Sequence, residues 1–306
     1  MAEPALMAGT FSEKQIDLTF QLGKGSFGGS GFNQVTFTDL RVEATIEKAG
    51  LPSPGGTAIV RVHGMPLSAI NELSVAGLLW DNRDNKMLVK AGDNQSGLSE
   101  VFNGDIVEAY PDFEQPMSPF VVTAVPGVGL QLKPVDPVSF DGPVAGATAL
   151  QKIVQAAGLT VENNGVDGQL VNPYFPGTVW EQVLRCVKAL DCFAYYDATE
   201  KKIAIWPKNG SRNTSDIRVI SAETGMIGYP KFQQNQILVR TYLDTSLRYG
   251  TKFRVKSGLT AADGEWNITI MTYHLASQMP DGPWEVLVRG NREVGLGATT
   301  PSAGAS

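Results

Sequence analysis

QIDLTFQLGKGSFGGSGFNQVTFTDLRVEATIE (15–47) decides the fold by what flanks its glycines. Gly23, Gly25 and Gly28 spell G-x-G-x-x-G, with Lys24 and Phe27 between them. That spacing lets a backbone close on a phosphate, provided a strand precedes the loop and a helix N-terminus follows it. Ile16, Leu18 and Phe20 alternate before the loop, which is strand periodicity. After it two runs, Val35 and Phe37, then Leu40, Val42, Ala44 and Ile46, again recur every second residue, so no helix dipole faces the glycines. The segment reads as a long glycine-rich hairpin between two strands.

A kinase would need an H-R-D loop and a D-F-G triplet. Neither histidine begins H-R-D (His63 stands in VHG, His274 in YHL), and Asp112-Phe113 is followed by Glu114. No nucleotide or other cofactor is expected. Gly23, Lys24, Gly25, Phe27 and Gly28 are expected instead to form a contact arm, costly to order alone and fixed only against a neighbour.

Composition agrees with a turn-rich β protein: 42% hydrophobic, 18% charged, 33 Gly and 18 Pro in 306 residues. A net charge of −6 disfavours a nucleic-acid-binding surface, which takes Lys and Arg. The apolar runs fall short of the ~20 residues of a membrane helix. The start MAEPALMAGTFSEK lacks a basic opening and an apolar core, so no signal peptide is expected.

Three parts follow, with a tail. Residues 1–140 read as strands, among them TAIVRV (57–62), KMLVKAG (86–92), DIVEAY (105–110) and PFVVTAV (119–125); PLSAINELS (66–74) is the one helical insert. The proline-rich LKPVDPVSFDGP (132–143) reads as a linker. Residues 143–210 form a small α+β domain. Leu150, Ile153, Val154 and Ala157 stand at helical spacing before Gly158. Thr178 and Glu181 form a capping box ahead of the stripe Trp180, Val183, Leu184, Val187 and Leu190. FAYYDATEKKIAIWP (193–207) is a hairpin turning at 198–201, and Trp180, Tyr195 and Trp206 are expected in its core. Residues 211–292 alternate again in QILVRTYL (236–243), TKFRVKS (251–257), WNITIMTYHLAS (266–277) and WEVLVRG (284–290). Residues 293–306 are a C-terminal tail.

Catalytic and metal readings find no constellation. Asp105, Glu108, Asp112 and Glu114 are scattered, and no serine lies in G-x-S-x-G. Asp81 and Asp84 with Asn82 and Asn85 lack the 1-3-5 spacing of a calcium loop. His63 and His274 have no third ligand in view. Cys186 and Cys192, six apart, are read as one helix's opposite sides and as buried free thiols.

The stretch ETGMIGYPKFQQNQILVRTYLDTSLRYGTKFRVKSGLTAADGEWNITIMTYHLASQMPDGPWEVLVRG (223–290) closely resembles the C-terminal part of baseplate hub proteins of contractile-tailed bacteriophages. The likeness lies in GMIGYP, GTKFRVKS and HLASQMPDGPW. TAIVRVHGMPLSAINELS and KMLVKAGDNQSGLSEVFNGDIVEAYPDF agree, although Asp93 stands where that family often carries an aromatic. The resemblance spans roughly 35–290 and is most specific over its last part.

The resemblance implies a structural, non-enzymatic protein: two tube-type β-barrel domains flank an inserted α+β domain, and three chains close into a ring. Its partners would be itself as a homotrimer, the hexameric tail tube protein and the trimeric central spike protein, with tape measure and baseplate wedge proteins as further contacts. The ring would line the DNA channel of the virion's baseplate, without specific nucleic-acid binding, after assembly in the host cytoplasm. Ring edges are expected at Gly225, Gly228, Tyr229 and Pro230 and, on the next strand, Leu238, Arg240 and Tyr242. The competing readings are a carbohydrate-binding or host-adhesin module and, more distantly, a small enzyme.

Overall fold

The computed structural model describes residues 12–292 apart from 30, 53, 75–83, 115–117 and 234. Asp81 and the tail 293–306 lie outside the described residues. The chain falls into two compact units: residues up to 45 with 58–124 and 275–283, and residues 46–57 with 125–274 and those from 284 on.

The first unit is built on β1 (Lys14–Gln21), β2 (Gln34–Phe37), β3 (Arg41–Ala49), β4 (Thr57–His63), α1 (Leu67–Leu73), β5 (Lys86–Asp93), β6 (Gly97–Pro111) and β7 (Phe120–Val125). Its strands run β3-β4-β7-β6-β5-β1-β2. The alternation seen in the sequence is the reason. Ile16, Leu18 and Phe20 of β1 are buried, as are Val42 and Ala44 of β3 and Ala58, Val60 and Val62 of β4. β1 and β2 pair antiparallel around the glycine-rich loop, Leu18 opposite Phe37, so the expected hairpin is present. β6 starts at Gly97, well before the expected Asp105, because the Asp93 carboxylate accepts from the N–H groups of Gln95 (2.9 Å) and Ser96 (2.6 Å) and turns the chain at once into pairing with β5.

The second unit comprises α2 (Val128–Leu132), β8 (Val138–Ser139), β9 (Pro143–Ala145), α3 (Gly146–Gln155), β10 (Thr160–Asn163), β11 (Gln169–Val171), β12 (Tyr174–Phe175), α4 (Val179–Ala189), β13 (Cys192–Asp197), β14 (Lys202–Pro207), β15 (Arg218–Ser221), β16 (Lys231–Gln233), β17 (Gln236–Tyr242), β18 (Lys252–Lys256), β19 (Gly264–Ser277) and β20 (Trp284–Asn291). A three-stranded sheet, β10-β14-β13, carries α3 and α4 on an apolar core that includes Leu150, Ile153, Trp180, Val183, Ile203 and Ile205. Thr178 caps α4: its Oγ1 accepts from the Glu181 N–H and the Glu181 carboxylate accepts from the Thr178 N–H. Gly146 permits the close approach of α3 and α4, since a Cβ there would lie 2.3 Å from Leu190 Cδ2. The proline-rich stretch expected as a linker is paired chain. β8 and β9 bond to β12 and β11, and Val138 sits in the core. Cys192 is not on the helix of Cys186; it opens β13, where a turn at Asp191 (φ 50) ends the helix.

The remaining strands run β16-β17-β20-β19-β18-β15. β15 is parallel to β18, and the other pairs with a recorded register are antiparallel. This order matches that of the first unit. In each, two strands consecutive in the chain (β2 and β3; β15 and β16) stand at opposite ends of the order, and the four strands that follow fill the middle as first, fourth, third and second. β1 is the one addition, lying between β5 and β2.

Candidate assembly surface

After β15 the chain turns at 222–224, where Thr224 Oγ1 accepts from the Ser221 N–H (2.8 Å), and reverses at Gly225, whose φ of +105° suits glycine. It then runs along β17. Ile227 N–H donates to Arg240 O (2.8 Å), Tyr242 N–H to Gly225 O (3.0 Å), and the buried Thr241 hydroxyl to the same carbonyl (3.1 Å). β16 continues the pairing, Lys231 opposite Leu238. Along β17, Ile237, Val239 and Thr241 are buried on one face while Leu238, Arg240 and Tyr242 take the other, and Phe232 stands opposite Ile237. Tyr229 is 72%, Tyr242 59% and Phe232 52% exposed. Arg240 is exposed and doubly bonded to the Glu285 carboxylate at 3.1 and 2.5 Å, Leu238 is half-buried, and Pro230 is buried. Residues 225–230 and 238–242 thus run side by side, with β17 paired to β20 on its other side. The pairing adds Phe232, which the sequence reading missed. Its signal was a lone aromatic among Lys231, Gln233 and other polar residues.

The glycine-rich loop is anchored at its base. Leu22 N–H donates to Asn33 O (2.8 Å) and Gly23 N–H to the buried Asn85 side chain (2.9 Å). Farther out, Gly28 N–H donates to Glu72 Oε1 (2.8 Å). Gly25 and Gly28 have φ of +87° and +56°, and Phe32 is 74% exposed. The Gly28 amide that a phosphate would need already faces a carboxylate. Gly23 is the sterically constrained position: a Cβ there would lie 2.4 Å from Asp84 Cβ and 3.0 Å from the Asp84 carbonyl carbon. Gly23→Ala is therefore expected to cost about 1–3 kcal/mol, read as a lowered urea midpoint; an unchanged midpoint refutes this close approach of Gly23 to Asp84.

The other candidate groups lie apart from one another. His63 Nε2 lies 3.6 Å from Glu43 Oε1, and His274 is half-buried in β19. Burial pushes the Cys186 thiol up to about 12 and the Cys192 thiol to about 11, so both stay protonated at neutral pH. Among the described residues no three or more His, Cys, Asp or Glu are placed to hold a metal, and no helix is long and apolar enough to cross a membrane. Trp180, Tyr195 and Trp206 are all buried, but only Trp180 belongs to the core under α3 and α4 as expected; Tyr195 and Trp206 form a separate cluster with Ala204, where Tyr195 stacks on Tyr249 at 4.6 Å.

Sequence reasoning passed over Arg212, the largest fully buried side chain. Its Nε and Nη2 donate to the two Glu162 oxygens, both at 2.7 Å, and Nη1 to Asp197 Oδ2 at 3.1 Å. Arg212 N–H also donates to Gly250 O at 2.7 Å. The chain thus ties β10 and the end of β13 to the segment that leads into β15.

The family profile for Baseplate hub gp41 matches residues 16–281. Among curated proteins no sequence matches. Solved structures share the fold, among them two tail proteins. The tail protein from Neisseria meningitidis MC58 aligns with a TM-score of 0.60 at 9% identity, over 91% of this chain and 97% of its own. The 43 kDa tail protein of prophage MuSo2 from Shewanella oneidensis aligns with a TM-score of 0.58 at 9% identity, over 92% and 99%.

Proposed function

Because the chain belongs to the baseplate hub gp41 family, a family of structural phage tail proteins, we propose that three copies form the ring joining a hexameric tail tube to a trimeric central spike. The observation that carries this reading is the strand order used twice in one chain. Each order begins and ends on consecutive strands, which suits closure into a tube-type barrel. Residues 1–140 and 211–292 supply these barrels in the proposal, and 143–210 the inserted α+β domain. Three chains then present six similar barrels, so a threefold ring meets sixfold symmetry on one side and threefold on the other. A head-to-tail interface closes into a ring when its rotation fits.

The ring contact is assigned to the edge of Gly225, Gly228, Tyr229, Pro230, Leu238, Arg240 and Tyr242, extended by Phe232. An edge strand flanked by exposed aromatics suits a partner's surface. Gly23, Lys24, Gly25, Phe27 and Gly28 form the proposed contact arm, directed at a tube, spike, tape measure or wedge protein. The net charge of −6 fits a channel that passes DNA without gripping it.

Counting copies in purified particles tests the reading. Three copies per particle between tube and spike are expected; six copies, or a position at the fibres, overturn it. Tyr242→Asp with Phe232→Asp is expected to leave the isolated chain's melting within about 0.5 kcal/mol yet abolish incorporation into particles. Normal incorporation would move the ring contact elsewhere. Glycan binding lost in the same variant would favour the adhesin reading.

A further inference from the structure

The repeated strand order sets β3 in the place of β16 and β6 in the place of β19. The chain after β6 and the end of β19 turn in the same way. Asp112 N–H donates to Pro119 O (2.9 Å) and Ala276 N–H to Pro283 O (2.8 Å), with an aromatic, Phe120 or Trp284, next in each chain segment. The matching bonds put 111–113 in the place of 275–277. These two stretches meet different surroundings. Residues 275–277 belong to the first unit, are buried, and cover the start of β3, where Ser277 Oγ donates to Leu40 O (3.0 Å). β6 instead stops at Pro111, with Tyr110 43% and Phe113 69% exposed.

The counterpart of β3 is bare. Lys231, Phe232 and Gln233 are all exposed, and β16 stands last in its order. An outermost strand presents unpaired N–H and C=O groups to a second chain. Among the described residues, the chain therefore carries a strand end without its edge and an edge without its strand end. The two stretches are alike in shape and opposite in charge: Tyr110-Pro111-Asp112-Phe113-Glu114 holds two acids where Tyr229-Pro230-Lys231-Phe232-Gln233 holds a lysine. Laying one along the other takes Phe113 and Phe232 out of water together.

We propose that residues 110–113 of one copy lie along β16 of the next, repeating between copies the cover that 275–277 give β3. The contact rests on the three-copy ring and names its second surface. A head-to-tail ring needs two different patches on each chain, and β16 supplies only one of them. The full chain with Phe113 replaced by the photo-crosslinker p-benzoylphenylalanine tests this in purified particles. Irradiation is expected to join the probe to 229–233 of another copy, read as a doubled chain mass and by mass spectrometry of the linked peptides. The same probe in place of Phe232 is expected to give the converse link, to 110–113. With three copies per particle, links elsewhere or none from both probes overturn this contact and leave the ring standing. Any other copy number overturns the ring reading, and the contact with it.

Discussion

Trp180→Ala is expected to cost about 3–5 kcal/mol, read as a lowered chemical-denaturation midpoint with loss of cooperativity in the second unit. The indole is 3% exposed and stands in the core that α3 and α4 form over β10, β14 and β13. Truncation removes that packing and leaves a hole among side chains anchored on three strands and two helices, so collapse is limited. The indole N–H also donates to Pro52 O at 2.9 Å, and that carbonyl loses its partner in the variant. Trp180→Phe separates the two effects, because it keeps most of the ring and removes only the donor. It is expected to fall between the parent and the alanine variant. If Trp180→Ala melts like the parent, the face assigned to α4 is wrong.

Arg212→Ala is expected to be comparably severe, about 3–5 kcal/mol, because it strands partly buried carboxylates rather than merely removing an attraction. Glu162 loses both of its 2.7 Å bonds and Asp197 loses one at 3.1 Å. Arg212→Lys keeps the charge but not the planar fork, so it is expected to recover only part of the loss. The pH dependence follows from Glu162. The Arg212 hydrogen bonds hold its carboxyl below the usual range, against burial acting the other way. A carboxylate with a lowered folded value contributes its stability above the unfolded value, near 4.3. That contribution fades as pH falls through the folded value. The parent is therefore expected to lose stability over this acid window more steeply than Arg212→Ala, and the gap between them to be full at pH 7. A gap that is the same at pH 3 and pH 7 contradicts the assignment.

Much of the local structure was legible from residue order. Period-two alternation placed β1, β4, β5, β17 and β20, because a strand with one buried face must repeat every second residue. Thr178 with Glu181 announced α4 through the donors at a helix start that only such side chains satisfy. Other elements carry no such signature. α2 is a single short turn after Gly127, and β8 and β9 are strands two and three residues long inside proline-rich chain. Too few residues repeat in them for a period to show.

The candidate surface was legible only in part. Tyr229 and Tyr242 stand far apart in sequence, and polar–apolar alternation marked each strand as half-exposed. That both are exposed near one another depends on the reversal at Gly225 and the pairing of 225–233 with β17. Arg212 was invisible for a related reason. Its neighbours Ser211, Asn213 and Thr214 read as loop, and its partners Glu162 and Asp197 lie 50 and 15 residues away.

By itself, then, the sequence determined the longer alternating strands, the two longer helices, the hairpin around the glycines and the resemblance to hub proteins, all of which rest on neighbours within a few residues. Tertiary structure alone decided that both units use one strand order. That order is set by which edges pair, and main-chain hydrogen bonds between strands impose no shared side-chain identity. A buried arginine and an exposed aromatic edge likewise exist only once distant segments meet, because burial is a property of the folded surface and not of the residue.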